Sequence, residues 1–100
     1  METKNIIISN EEIKQFCQKH NIIKLSLFGS VLRDDFRADS DVDVLVEFKP
    51  GHAPGFNFFA MQDELSNIVG RPVELHTLDF LSPYFRNNVL KEAKVQYATP

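Results

Sequence analysis

The segment DVDVLVEF, residues 41–48, alternates without a break. Val42, Val44, Val46 and Phe48 fall on one face of an extended strand, and Asp41, Asp43, Leu45 and Glu47 on the other. A run of period two does not make a helix face, so the fold must be built round a sheet with one apolar side turned inward. The same alternation puts two carboxylates, Asp41 and Asp43, on one side of the strand, roughly 6–7 Å apart at the backbone. Held that close, they repel each other unless a cation lies between them.

The flanking residues supply the rest of the fold. Ser9 and Glu12 form an S-x-x-E capping box with Ile8 and Ile13 at the staple positions, and Ile13, Phe16 and Cys17 recur at helical spacing. A helix is therefore expected from about Asn10 to His20, with Asn21 as a left-handed stop. IIKLSLFG reads as a strand ending at Gly29, and Ser30 to Arg33 as the start of a short helix. KPGHAPG is a loop by composition. Phe58, Met61, Leu65 and Ile68 mark a second long helix stopped by Gly70 and Pro72. RPVELHTL is a third strand, with Val73 and Leu75 on one face and Glu74 and His76 on the other. A last helix starts at a Ser82 cap with Pro83 in first position, its apolar marks being Phe85, Val89 and Ala93. The expected fold class is α/β (α+β), a small mixed sheet with helices packed mainly on one face.

One hundred residues suffice for a single domain spanning 1–100 and leave no room for a second, substrate-binding one. Apolar content of 43% and charged content of 25% are globular values. A net charge of −3 argues against a protein that works by direct, non-specific grip on nucleic acid. Cys17 is the only cysteine, which excludes an internal disulfide and suits a reducing, cytoplasmic setting. No apolar stretch has the length of a signal peptide or a membrane span.

The acid pair and the Gly29-Ser30 break fit one chemistry. Carboxylate oxygens are hard ligands, and Mg²⁺ carried with substrate phosphates is their natural guest. Two such ions would clamp the attacking and leaving oxygens of an in-line phosphoryl displacement. Gly29 lets backbone approach a ligand closely, and the amides after it, with the Ser30 hydroxyl, are donors for anionic oxygens. Arg33 could add a charge-assisted contact to the same phosphates. Glu74, turned away from Val73 and Leu75 on the neighbouring strand, is the candidate third acid, metal ligand and proton acceptor. Taken alone, Glu74 reads equally well as a solvated strand residue, and Arg33 as a surface charge. Taken together, Gly-Ser and D-x-D at fixed spacing would arise by chance in on the order of one in a thousand chains of this length.

Gly29-Ser30, ten intervening residues and Asp41-Val42-Asp43 match the G-S-x10-D-x-D signature of polymerase-beta-like nucleotidyltransferases. LFGSVLRDDFRADSDVDVLVEF is similar to the minimal nucleotidyltransferases (MNT), and VGRPVELHTL and LKEAKVQYA extend the resemblance over nearly the whole chain. The resemblance implies the nucleotidyltransferase fold and transfer of a nucleoside monophosphate from a Mg²⁺-bound triphosphate to a hydroxyl. It further implies an antitoxin that moves AMP from ATP to a tyrosine of a HEPN-domain RNase toxin, in a hetero-oligomer with it. Gly29 and Ser30 carry over as triphosphate contacts, Asp41 and Asp43 as metal ligands, and Glu74 stands where the family usually has aspartate. The competing reading is an antitoxin that neutralises its partner by binding alone. Transfer to a small molecule such as an aminoglycoside would call for the missing second domain.

Other residues invite weaker readings. His20, His52 and His76 share no metal-ligand spacing, although His76 lies on the Glu74 side and could border the site. His52 reads as a loop residue and Cys17 as core packing. Phe56 and Phe59 do not both fit the stripe set by Phe58 and Met61, which reads equally as an exposed apolar spot that could stack on a base or dock a partner and as a shifted helix phase. Tyr84 is read the same way.

Overall fold

The computed structural model describes residues 1–99. Its elements are helix α1 (Asn10–Lys19), strand β1 (Ile22–Phe28), a 3₁₀ turn (Gly29–Leu32), strand β2 (Val42–Phe48) and helix α2 (Asn57–Val69). Strand β3 (Val73–His76), a second 3₁₀ turn (Leu78–Phe80), helix α3 (Pro83–Glu92) and strand β4 (Lys94–Ala98) complete it. The four strands form one mixed sheet in the order β3-β2-β1-β4, with β2 parallel to β3 and the other two pairs antiparallel.

Local signals set the ends of α1 and α2 as expected, whereas Ser82 precedes α3 without a side-chain cap bond. The Ser9 hydroxyl accepts from Glu12 N–H at 3.4 Å to start α1, and Asn21 takes a left-handed φ of 58° just after it. Gly70 closes α2 at φ 77°, its N–H donating to Ser66 O. The β1–β2 pair is central, so both strands bury residues on two faces. On one face Leu25, Leu27, Val42, Val44 and Val46 meet Ile13, Phe16 and Cys17 of α1 and Met61 and Leu65 of α2. On the other, Phe28 and Leu45 are covered by Val89 of α3. Leu45, expected on the polar side of its strand, is thus buried at 3% exposure under a helix on the second face.

The last expected element divides in two. Ala93 is not a helical core position but the residue that ends α3, with ψ 133°. Residues 94–98 then turn back as β4 along β1, Leu27 opposite Lys94 and Leu25 opposite Tyr97. KVQYA alternates Val95 and Tyr97 but spans only five residues on a sheet edge and buries none of them fully, so its strand signal is weak directly after a helix.

Candidate active site

Strand register builds the site. Asp43 pairs with Glu74 across the parallel β2–β3 ladder and with Phe28 across the antiparallel β1–β2 ladder. Asp43 and Glu74 therefore stand side by side at one inter-strand spacing, about 4.8 Å at the backbone. Asp43 also abuts Gly29, the first residue beyond β1. His76, two residues past Glu74 and on the same face, brings its Nε2 to 3.2 Å from Asp43 Oδ1 and 3.9 Å from Glu74 Oε1. Ligand atoms of Asp43, Glu74 and His76 all lie within 4.8 Å of one another, the spacing that a single divalent cation requires of its ligands.

β2 begins at Val42, whose N–H donates to Pro72 O at 2.9 Å, and Asp41 lies just before it, exposed. Among the described residues the converging ligand set contains Asp43, Glu74 and His76 but not Asp41. Signature spacing points to Asp41, and the β2–β3 register adds His76, because a motif reports sequence distance and register reports the neighbours.

Gly29 has φ +80°, and a Cβ built there would lie 2.5 Å from Asp43 Oδ2. Glycine is needed twice, for the backbone conformation and for the close approach of the carboxylate. Ser30 follows in the 3₁₀ turn, its carbonyl accepting from Arg33 N–H at 2.9 Å. Arg33 is not one turn into a helix as expected; it caps the turn in extended conformation.

Glu92, a residue that the sequence did not single out, joins these donors. Its Oε1 accepts from Gly29 N–H at 3.0 Å and from Arg33 Nη1 at 2.6 Å. The β1–β4 register explains the contact. Leu27 opposite Lys94 in an antiparallel pair carries Glu92 to the level of Gly29. Only recognition of β4 could have revealed it.

The loop between the turn and β2 is tied at several points. Asn5 Nδ2 donates to Val31 O at 2.7 Å and to Arg33 O at 2.9 Å, and Lys4 pairs with Asp34. Arg71 donates to Arg37 O at 2.6 Å and lies over the Phe36 ring, 4.3 Å from its centroid. Beyond the opposite, C-terminal ends of β2 and β3, an apolar groove of about 750 Å³ is lined by Phe48, Phe58, Phe59, Leu75, Leu78 and Phe80 among others. Phe56 and Phe59, which do not both fit the helix stripe, are both exposed, as is Tyr84. His52 lies exposed in its loop, and His20 bonds Glu64 at 3.1 Å, well apart from the acids in the sequence and on the α1–α2 side.

A mixed four-stranded sheet that presents paired acids beside a glycine turn is the framework of a nucleotidyl-transferring domain. Residues 10–95 match the Nucleotidyltransferase domain family. The chain belongs to that family and is a nucleotidyltransferase. It is 32% identical over 75 residues to a Methanocaldococcus jannaschii protein named as a candidate protein adenylyltransferase, covering 75% of this chain and 80% of the relative. It is 27% identical over 92 residues to the protein adenylyltransferase MntA of Thermococcus cleftensis, covering 91% and 89%. A solved structure described as a candidate minimal nucleotidyltransferase superposes with a TM-score of 0.71 at 32% identity, over 85% of this chain and 86% of the other. A toxin–antitoxin structure with AMP-PNP shares the fold at a TM-score of 0.72 and 18% identity, over 92% and 75%. No helix among the described residues is long and apolar enough to cross a membrane.

Proposed function

We propose that the protein adenylylates a protein partner, transferring AMP from ATP to a tyrosine hydroxyl of a HEPN-domain toxin and so neutralising it. The observation that carries this reading is the adjacency of Asp43 and Glu74 across β2–β3, with Gly29 and its turn beside them. Support comes from relatives named protein adenylyltransferase and from a related complex described as a tri-AMPylated Shewanella oneidensis HEPN toxin with MNT antitoxin.

The donor set fits a divalent cation, being two carboxylates and an imidazole that converge. When bound, such cations, Mg²⁺ in the reading drawn from the resemblance, neutralise charge on the phosphates and orient them. Asp43 and Glu74 would hold them, with Asp41 of the D-x-D signature just before β2. The Gly29 and Ser30 backbone, the Ser30 hydroxyl and the Arg33 guanidinium hold the triphosphate. The acceptor oxygen attacks the α-phosphorus, the bond from that phosphorus to the α–β bridging oxygen breaks, and pyrophosphate departs. The hydroxyl proton passes to the Glu74 carboxylate.

Co-expression of a HEPN-domain partner with the wild type, and with an Asp41→Asn/Asp43→Asn variant, tests the reading by intact-mass spectrometry of the partner. The wild type should add AMP and the variant should not. Neutralisation by the variant, with no AMP on the wild-type partner, would leave binding alone as the mechanism.

A further inference from the structure

Strand β3 brings the acids one donor more than the D-x-D text announces. The His76 ring packs edge-on against Phe28, with centroids 5.1 Å apart, and its side chain is only 20% exposed. That contact fixes the ring on the acid side of the sheet, where Nε2 meets Asp43 Oδ1 at 3.2 Å. From this geometry we infer that His76 ligates the cation through Nε2 and shifts the site's preference from Mg²⁺ towards first-row transition ions. The inference rests on the reading of Asp43 and Glu74 as cation ligands.

Mg²⁺ takes oxygen ligands in near-ideal octahedra and rarely accepts nitrogen. An imidazole nitrogen beside two carboxylates is a mixed set that favours transition ions, more strongly along the Irving–Williams series. His76 is also placed by packing. Glu74 is exposed, whereas the histidine ring is packed against Phe28 and lies diagonal to Asp43 across β2–β3.

Mn²⁺ serves as the probe, added alone to the full chain. Continuous-wave EPR measures its affinity, Mg²⁺ competition measures selectivity, and pulsed EPR detects nitrogen-14 modulation from a directly bound imidazole. The wild type should show that modulation. His76→Ala and His76→Gln should both lose it, with Mn²⁺ affinity falling on the order of tenfold and Mg²⁺ affinity changing far less. His52→Gln should keep it. The glutamine variant separates ligation from positioning, because its amide can still donate to Asp43. Bound Mn²⁺ without nitrogen modulation, modulation that survives in His76→Ala, or full Mn²⁺ affinity in His76→Gln would each overturn the inference alone. Failure of the wild type to bind Mn²⁺, or equal binding by Asp43→Asn, would overturn the cation-site reading itself.

Discussion

The Asp43 carboxylate rests against the bare Cα of Gly29, so close that a Cβ there would lie 2.5 Å from its Oδ2. A Gly29→Ala change thus has two consequences of different size. The left-handed φ of +80° strains any side-chain residue, costing about 1–2 kcal/mol. The clash itself meets the end of a flexible side chain, which can turn away at little cost in stability. Turning away takes Asp43 from Glu74 and His76. The expected outcome is a modest loss in thermal stability together with a disproportionate loss of divalent-cation affinity. Calorimetric unfolding and metal titration of the same variant check both parts; a stability loss with unchanged metal affinity contradicts the argument.

Glu92 holds the Gly29 N–H and the Arg33 guanidinium, the donors assigned above to the triphosphate. A carboxylate there competes with phosphate oxygens for the same N–H groups. Glu92→Gln removes the charge while keeping the size, so AMP-PNP should bind more tightly. Arg33 is half exposed, which limits the pair to roughly 0.2–1 kcal/mol, or up to about fivefold in affinity. Isothermal titration of wild type and variant measures this. Weaker binding by Glu92→Gln would instead make Glu92 a brace for the glycine turn.

How much of this was legible beforehand follows from where the information lies. Val42, Val44 and Val46, and Val73 and Leu75, declare their strands by alternation, and register then brings Glu74 beside Asp43. The capping box at Ser9 and the left-handed Asn21 and Gly70 are likewise local, so they can be read from the chain. What escaped depends on pairing between distant segments. β4 is a five-residue edge strand that buries no residue fully, and Glu92 reaches Gly29 only because β4 pairs with β1. His76 was placed on the correct face, but its convergence with Asp43 required the parallel register. Alternation sets Leu45 on the face of Asp41 and Asp43 without saying that α3 covers part of that face.

Cys17 provides a check on the core. It is fully buried between α1 and the sheet, and burial pushes its thiol up to about 12. The thiolate is the reactive form, so the native protein should resist alkylation even at mildly alkaline pH. Iodoacetamide labelling followed by mass should report none in the native state over hours and complete modification in guanidinium chloride. Rapid native labelling would mean that α1 opens from the sheet far more readily than its packing indicates.

Glu64 on α2 receives hydrogen bonds from Lys19 and His20 at the end of α1, both at 3.1 Å, and these join the two helices. Burial works to raise its carboxyl, but the bonds and charges of Lys19 and His20 outweigh it and leave the group below its ordinary value of 4.5. A carboxyl lowered by folding contributes stability that is present above its unfolded value and is lost as pH falls through the folded one. The melting temperature of the wild type should therefore exceed that of Glu64→Gln at neutral pH, by the equivalent of a few tenths to about 1 kcal/mol. The gap should close on acidification below about 4.5, where Glu64 becomes protonated in the unfolded chain and then in the native one. Added salt should narrow it at neutral pH too, because Lys19 is well exposed. Circular-dichroism melts across that range decide the matter, since a gap independent of pH would assign the effect to packing by the glutamate stem rather than to its charge.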